Sequence, residues 1–189
     1  MKKVLNCLFL TMLFASCVNH LDEELHEGSK VIDFNISFDI ENEPMSRAIS
    51  DYVKSIELFD YMEGEEVTHI SQTTTDNDFG SVQLDASFGT HQLVFVGHNS
   101  GSCEYDGSSL SFDKVTDTFS YATSLTVNDE TEAQNITLNR QIGKLTLYVN
   151  DAIPENAAKM IITVNGYSNE LNPITGKGSE GFEFTKEFT

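Results

Sequence analysis

The sequence predicts an all-β protein built as an antiparallel β-sandwich. Residues 31–40 alternate isoleucine and phenylalanine with aspartate, asparagine and serine, the pattern of a half-buried strand. Further segments of this kind recur at about ten to fifteen residues, separated by turn signals such as Glu63-Gly64 and Asp106-Gly107. Short strands at this spacing, with almost no helical periodicity, favour a sandwich over a βαβ fold.

The predicted strands follow one another along the whole chain, and the later ones begin a second unit. They cover residues 31–40, 52–61, 67–72, 81–87, 92–97, 119–127, 135–138, 144–150, 160–164 and 182–188. A new alternating strand starts after Arg140, so we expect an N-terminal β domain over 31–139 and the start of a second β domain over 140–189. Alternation continues to Phe188, so Thr189 is expected to end inside a strand of a truncated or unusually small chain.

Residues 1–16 have the features of a signal peptide. Lys2 and Lys3 precede a mostly apolar run, and Ala15-Ser16 forms a small-residue cleavage site. The run is too short to cross the ~30 Å hydrocarbon core of a bilayer as a stable helix. We therefore expect export and removal of this segment.

Leu13-Phe14-Ala15-Ser16 followed by Cys17 matches a lipobox, the signal for lipoprotein processing, and predicts lipidation of the Cys17 sulfur. Two or three acyl chains, at ~0.8 kcal/mol per buried CH₂, anchor a protein stably. The alternative is an ordinary signal peptide beside a chance cysteine. Cys7 would leave with the signal, so Cys103 has no intrachain partner and no disulfide framework is expected.

Residues 17–30 are polar and acidic, which predicts a flexible tether. The run Asp22-Glu23-Glu24 resembles the acidic signals that follow the lipidated cysteine in surface-exposed lipoproteins of Bacteroides-type bacteria. This resemblance implies an outer-membrane location with the domain facing outward. A simple solvated linker is the alternative.

The charge balance argues against nucleic acid as a partner. Thirty acidic residues outnumber eleven basic ones, for a formal net charge of -19. Such a surface repels phosphate backbones and anionic headgroups. Solubility explains the acidity without any ligand.

No motif in the sequence predicts catalysis or a cofactor. The five histidines lack the i, i+4 spacing of a zinc protease, and His91 and His98 flank an apolar strand, as expected of strand-end residues rather than metal ligands. Asp76-Asn77-Asp78 and Asn128-Asp129-Glu130 could supply oxygen ligands for calcium, but neither lies in an EF-hand loop, and polar turns are the alternative. We expect no enzyme, no cofactor and no metal.

Four stretches resemble the fimbrial anchor and minor-subunit lipoproteins of Bacteroides-type bacteria. They are the lipobox with its acidic tether, SIELFDYMEGEEV at 55–67, FGTHQLVFVGHNS at 88–100 and ITLNRQIGKLTLYVNDAIPENAAKMIITVNGYSNELNPITGKG at 136–178. The resemblance implies transthyretin-like sandwich domains and a part in pilus assembly and adhesion at the outer membrane, with other fimbrial subunits as partners. A surface receptor for a glycan or host protein is the alternative function.

Arg47 carries one further implication of this resemblance. In such families an Arg-specific protease removes an N-terminal strand, and a neighbour's strand fills the groove, a form of β-augmentation. Arg47 lies in the loop after residues 31–40, where a cut would free that strand. A solvent-exposed loop arginine is the alternative, since an anchor must keep its N-terminal lipid.

Overall fold

The computed structural model describes residues 28–39, 48–143, 148, 150, 154, 156, 158–179 and 181–188. Within these ranges the chain is all-β, as predicted, with one 3₁₀ helix at Ile49–Asp51. The strands are β1 (Ser29–Asp39), β2 (Ser55–Met62), β3 (Glu65–Thr73), β4 (Ser81–Ser87), β5 (Gly89–His98), β6 (Cys103–Tyr105), β7 (Leu110–Phe112), β8 (Thr118–Val127), β9 (Gln134–Arg140), β10 (Met160–Tyr167), β11 (Glu170–Asn172), β12 (Lys177–Gly178) and β13 (Phe182–Phe188). Among the described residues, no helix has the length and apolar content needed to span a bilayer.

Seven strands form one sheet in the order β3-β2-β5-β8-β9-β1-β4. The pairings in this sheet are antiparallel except that of β1 with β9, which is parallel. Parallel strands need a long connection to bring the chain back to the same end of the sheet, and the residues between β1 and β9 provide one. Antiparallel strands can be joined by a tight hairpin.

The larger core lies inside this curved sheet, where β1, β4 and β9 pack against β2, β5 and β8. Phe34 of β1 lies 5.1 Å from Phe95 of β5, measured between ring centroids. Phe38 of β1 meets the ring of Phe119 edge-on at 5.0 Å. The fully enclosed members of this core include Ile32, Phe34, Val53, Ile56, Leu58, Val82, Leu84, Leu93, Phe95, Phe119 and Leu138.

Strands β2 and β5 are buried on both faces, because a second sheet covers the side that faces away from the larger core. That sheet has the order β12-β11-β7-β6. Its side chains and those of β2 and β5 form a smaller core of Phe59, Tyr61, Val94, Val96, Cys103, Leu110, Phe112 and Leu171. The result is a layered β-sandwich, which confirms the predicted fold class.

Strands β10 and β13 form a separate two-stranded sheet with an irregularity between Val164 and Tyr167. The register pairs Met160 with Phe188 and Ile162 with Lys186, so these residues share one face. Met160 and Phe188 are 41% and 45% exposed.

The structure refines the predicted strand bounds. Strand β4 has the predicted bounds, but β2 begins at Ser55 rather than at residue 52, because Tyr52 has an αR backbone that closes the 3₁₀ helix. Strands β6, β7, β11 and β12 were not predicted. The predicted strand at 144–150 lies almost wholly outside the described residues.

The domain division near residue 140 remains a prediction, as do the signal peptide and the tether up to residue 27. The predicted tether extends too far, because Ser29 and Lys30 belong to β1. Strand β11, beyond that point, pairs with β7, which precedes it. Asn169 adds a side-chain hydrogen bond from its Nδ2 to the carbonyl of Phe112 at 3.0 Å. Residues on both sides of position 140 therefore build the second sheet.

Candidate functional site

Strand β1 is an interior strand of the seven-stranded sheet. It lies between β4, to which it is antiparallel, and β9, to which it is parallel. Every second side chain faces inward, so Ile32, Phe34 and Ile36 are at most 5% exposed. Removing β1 would leave a groove with unpaired backbone on both walls.

Polar side chains reinforce the contact between β1 and β9 on the outer face. Ser37 donates a hydrogen bond from Oγ to the carbonyl oxygen of Ile136 at 3.1 Å, and its Oγ lies 2.9 Å from that of Thr137. Asn35 donates from Nδ2 to Oδ1 of Asn135 at 3.4 Å. These contacts help to set the register, since a slip by one residue would turn the apolar side chains outward.

The two edge strands of this sheet, β3 and β4, are linked by the side chain of Gln72. Its Nε2 donates to the carbonyl oxygen of Ser81 at 2.8 Å, and its Oε1 accepts from the backbone N–H of Gly80 at 3.1 Å. Gln72 is 6% exposed. The side-chain amide of Gln72 therefore bridges the start of β4 to β3, two strands that are not paired with each other through their backbones.

A buried pair, Asp60 and His91, lies at one end of the larger core. His91 Nδ1 is 2.7 Å from Asp60 Oδ1, and Nε2 donates to the carbonyl of Ser87 at 2.8 Å. Because the carbonyl can only accept, Nε2 carries a proton and a second proton is shared between Nδ1 and Oδ1. Asp60 Oδ2 is buried without a hydrogen-bond partner among the described residues.

A second carboxylate, Glu57, gathers three donors on the opposite face of β2. Oε1 accepts from Ser71 Oγ at 3.1 Å and from His98 Nε2 at 3.3 Å, and Oε2 contacts His69 Nε2 at 2.9 Å. His98 Nδ1 accepts the backbone N–H of Ser100 at 3.1 Å, which places the ring proton on Nε2. Ser71 thus donates to a carboxylate and not to a histidine, unlike the serine of a nucleophilic triad.

Burial raises the pKa values of two groups in the smaller core. It raises that of Tyr61 to about 12, aided by the hydrogen bond from the phenol to Glu66. Burial, and secondarily the charge of Glu57, raises the pKa of the Cys103 thiol. Cys103 is therefore poorly suited to nucleophilic chemistry.

Two exposed aspartates have lowered pKa values because they accept hydrogen bonds in turns. Asp113 accepts the backbone N–H of Ser102 and the hydroxyl of Ser100, as well as the backbone N–H of Gly101. Asp106 accepts the backbone N–H groups of Ser109 and Ser108. These carboxylates fix the loops on either side of β6.

A cavity of about 220 Å³ opens where the second sheet meets the end of β9. Its walls come from β7, the start of β8, Gln141 to Gly143 and the turn that joins β11 to β12. Phe112 and Leu171 supply apolar surface, and Gln141, Asn169 and Glu170 supply polar groups.

The residues singled out from sequence fall in different places. Cys17 and Arg47 lie outside the described residues, so both remain predictions. His91 is the third residue of β5 and His98 the last, each bound to a carboxylate. The predicted polar turns are found: Asp76 Oδ2 accepts the N–H of Thr73, and Asn128 Oδ1 that of Glu130. The part of the chain described here contains no group of three or more histidine, cysteine or acidic side chains suited to a metal ion.

Glu57 and Asp60 were not predicted from the sequence. A signal was present, because SIELFDYM has apolar side chains at both odd and even positions. A strand of this kind is buried on both faces, so its carboxylates have to find partners inside the protein.

No family model matches the sequence, and no curated protein matches it. Solved structures do. A candidate polysaccharide-binding protein from Bacteroides thetaiotaomicron is similar with a TM-score of 0.51 over 84% of this chain and 64% of that protein, at 13% identity. A candidate adhesin from Bacteroides ovatus is similar with a TM-score of 0.54 over 82% of this chain and 62% of that protein, at 11% identity. Another candidate adhesin, from Bacteroides thetaiotaomicron, has a TM-score of 0.54 over 84% of this chain and 62% of that protein, at 12% identity.

These similarities concern the fold. The chain spans less than two thirds of the length of each of the three proteins. At such low identities, the function of a neighbour does not transfer with its fold.

Proposed function

We propose that this chain is a cell-surface lipoprotein that acts as a fimbrial anchor or minor fimbrial subunit in adhesion, held at the outer membrane by a lipid on Cys17. The position of β1 carries the proposal. A strand that lies between two others and fills the core with Ile32, Phe34 and Ile36 is one that a neighbouring subunit could replace. The fold shared with two candidate adhesins and a candidate polysaccharide-binding protein supports a role in adhesion.

Arg47 is the proposed point at which β1 would be released in a polymerising form of the protein. In the anchor form it stays uncut, because a cut would separate the domain from its lipid. The chain has one other arginine, Arg140, which makes a matched control. Arg47→Ala should abolish any shortened surface form, whereas Arg140→Ala should leave it.

Immunoblots of the sheared surface fraction and the outer membrane, with and without boiling, test the assembly role. Strand-exchanged filaments bury a long β ladder, so a fimbrial subunit should give a heat-sensitive series of bands. A membrane-bound monomer that accompanies no filament would contradict the proposal.

Labelling with a fatty acid tests the anchor. Cys17→Ala should lose the label and the membrane association, whereas Cys7→Ala and Cys103→Ala should keep both. Labelling that persists in Cys17→Ala would place the lipid elsewhere or remove the anchor from the proposal.

The same proposal assigns no catalytic activity. His91 is fully enclosed, and both ring nitrogens of His98 are engaged within the fold. The second candidate function is a surface receptor for a glycan. The cavity beside β7 favours it, together with the description of one neighbour as a candidate polysaccharide-binding protein.

A further inference from the structure

The cavity beside β7 has the size of a site for one small ring. Its volume of about 220 Å³ lies below the ~300–1,000 Å³ of pockets for drug-sized ligands. Phe112 and Leu171 contribute apolar surface and are 6% and 7% exposed. Apolar surface of this kind packs against the C–H face of a saturated ring.

The polar groups of the cavity are mainly acceptors. Gln141 uses its Nε2 to donate to the carbonyls of Asn139 at 3.0 Å and Ser120 at 3.4 Å. The Oε1 of Gln141 remains available to accept a hydrogen bond. It lies beside Gly176, another wall residue, 3.0 Å from the point where a Cβ on that glycine would be. Asn169 donates one Nδ2 proton to the carbonyl of Phe112, which leaves its Oδ1 to accept and its second Nδ2 proton to donate.

The charge of the lining selects against anions. Among the described residues that line the cavity no lysine or arginine is present, and the exposed Glu170 lies on the opposite face of β11 from the buried Leu171. Amide oxygens accept from hydroxyl donors, and a lining without a cation gives phosphates and acidic sugars no opposite charge to pair with.

Glycines keep the cavity open. Among the described residues, a Cβ at Gly143 would have no heavy atom within 4 Å, whereas a Cβ at Gly178 would lie 3.0 Å from the Cβ of Ser168.

We propose that this cavity binds a neutral, hydroxyl-bearing sugar ring, with Phe112 and Leu171 under the ring and the side-chain oxygens of Gln141 and Asn169 accepting its hydroxyl protons. The inference deepens the glycan-receptor form of the proposed function and names the class of ligand. It does not depend on filament assembly.

Titration of the full-length protein in mild detergent with methyl glycosides of glucose, galactose, mannose and N-acetylglucosamine, followed by calorimetry or NMR, tests the inference. At least one neutral sugar should saturate in the millimolar range, whereas glucuronate and inorganic phosphate should not bind. Absence of saturation by all four sugars, or equal binding of glucuronate, would overturn the proposal.

Three variants locate the binding. Gln141→Leu should weaken it by about two- to tenfold, the usual effect of a lost hydrogen bond between neutral groups. Gly143→Trp should abolish it by filling open space, and Gln92→Ala, an exposed glutamine on β5 outside the cavity, should leave it unchanged. Circular dichroism confirms that each variant folds. Binding that survives Gly143→Trp in a folded protein would rule the cavity out.

The outcomes for the two proposals are separable. Loss of sugar binding with an intact heat-sensitive ladder removes only the sugar site. Sugar binding without any ladder removes the fimbrial role and leaves a receptor.

Discussion

At the scale of single residues, two carboxylates in β2 show how a buried charge is tolerated. Asp60 and Glu57 lie on opposite faces of one strand, and each meets histidine from a neighbouring strand. A buried carboxylate without a partner would cost several kcal/mol. These pairs therefore fix which strands can lie beside β2.

Replacing Asp60 should be far more costly than replacing an exposed aspartate. Asp60→Ala leaves His91 Nδ1 buried without its partner, and removal of one member of a buried pair typically costs about 3–5 kcal/mol. Asp85 is exposed on β4, so Asp85→Ala should change the free energy of unfolding by less than about 0.5 kcal/mol. Urea denaturation measures both, and equal losses would show that the pair contributes little.

Asp113 should make stability fall in acid. Its folded-state pKa is lowered from 3.8 by hydrogen bonds from Ser102 and Ser100. Its contribution is therefore complete above the unfolded value and is lost as the pH falls through the folded one. Asp113→Asn should be less stable than wild type at neutral pH, with the difference shrinking below about pH 4. Denaturation across pH 2–7 measures this, with Asp85→Asn as control, and a gap that widens in acid would contradict it.

At the scale of elements, β1 contributes far more to stability through one face than through the other. Phe34 is fully buried, whereas Val31 is 56% exposed. Phe34→Ala should destabilise the protein by about 3–5 kcal/mol. Val31→Ala should stay within about 0.5 kcal/mol. Thermal or urea unfolding tests the contrast, and a mild effect at Phe34 would mean that β1 adds little to the core.

The elements also show which parts of the fold are predictable from sequence. Alternation located β1 and β4, because each has one buried face and a period of two. Strands β6 and β7 have three residues each, too few to display a period. The parallel partner of β1 depends on contacts between distant segments, which no local pattern encodes.

The candidate site was less predictable than the fold. The position of β1 as a possible exchangeable strand was suggested by the resemblance around Arg47, and its interior place between β4 and β9 emerged only with the sheet order. The sugar-sized cavity combines Phe112, Gln141 and Glu170 from three separate segments. None of these residues carries a motif.

At the scale of the whole molecule, the smaller core joins the two sheets, and Cys103 reports on that junction. Cys103 is 8% exposed, and burial raises the pKa of its thiol. In a Cys7→Ser, Cys17→Ser variant it is the remaining cysteine, so a thiol reagent should label it only when the second sheet separates from β2 and β5. Labelling should be slow in buffer and complete in denaturant, and rapid labelling under native conditions would show that the outer sheet opens readily.

The parallel pairing of β1 with β9 joins residues about 100 positions apart, as the Asn35–Asn135 contact shows. A chain exported from its N-terminus delivers β1 first and this partner much later, so β1 waits while the intervening hairpins form locally. Strand β4 reaches β1 first as its antiparallel partner, so we expect β9 to be the last to dock, against the edge of β1 that is still unpaired. Folding at the membrane would then have a built-in pause, during which this open edge of β1 can pair with whichever strand arrives first.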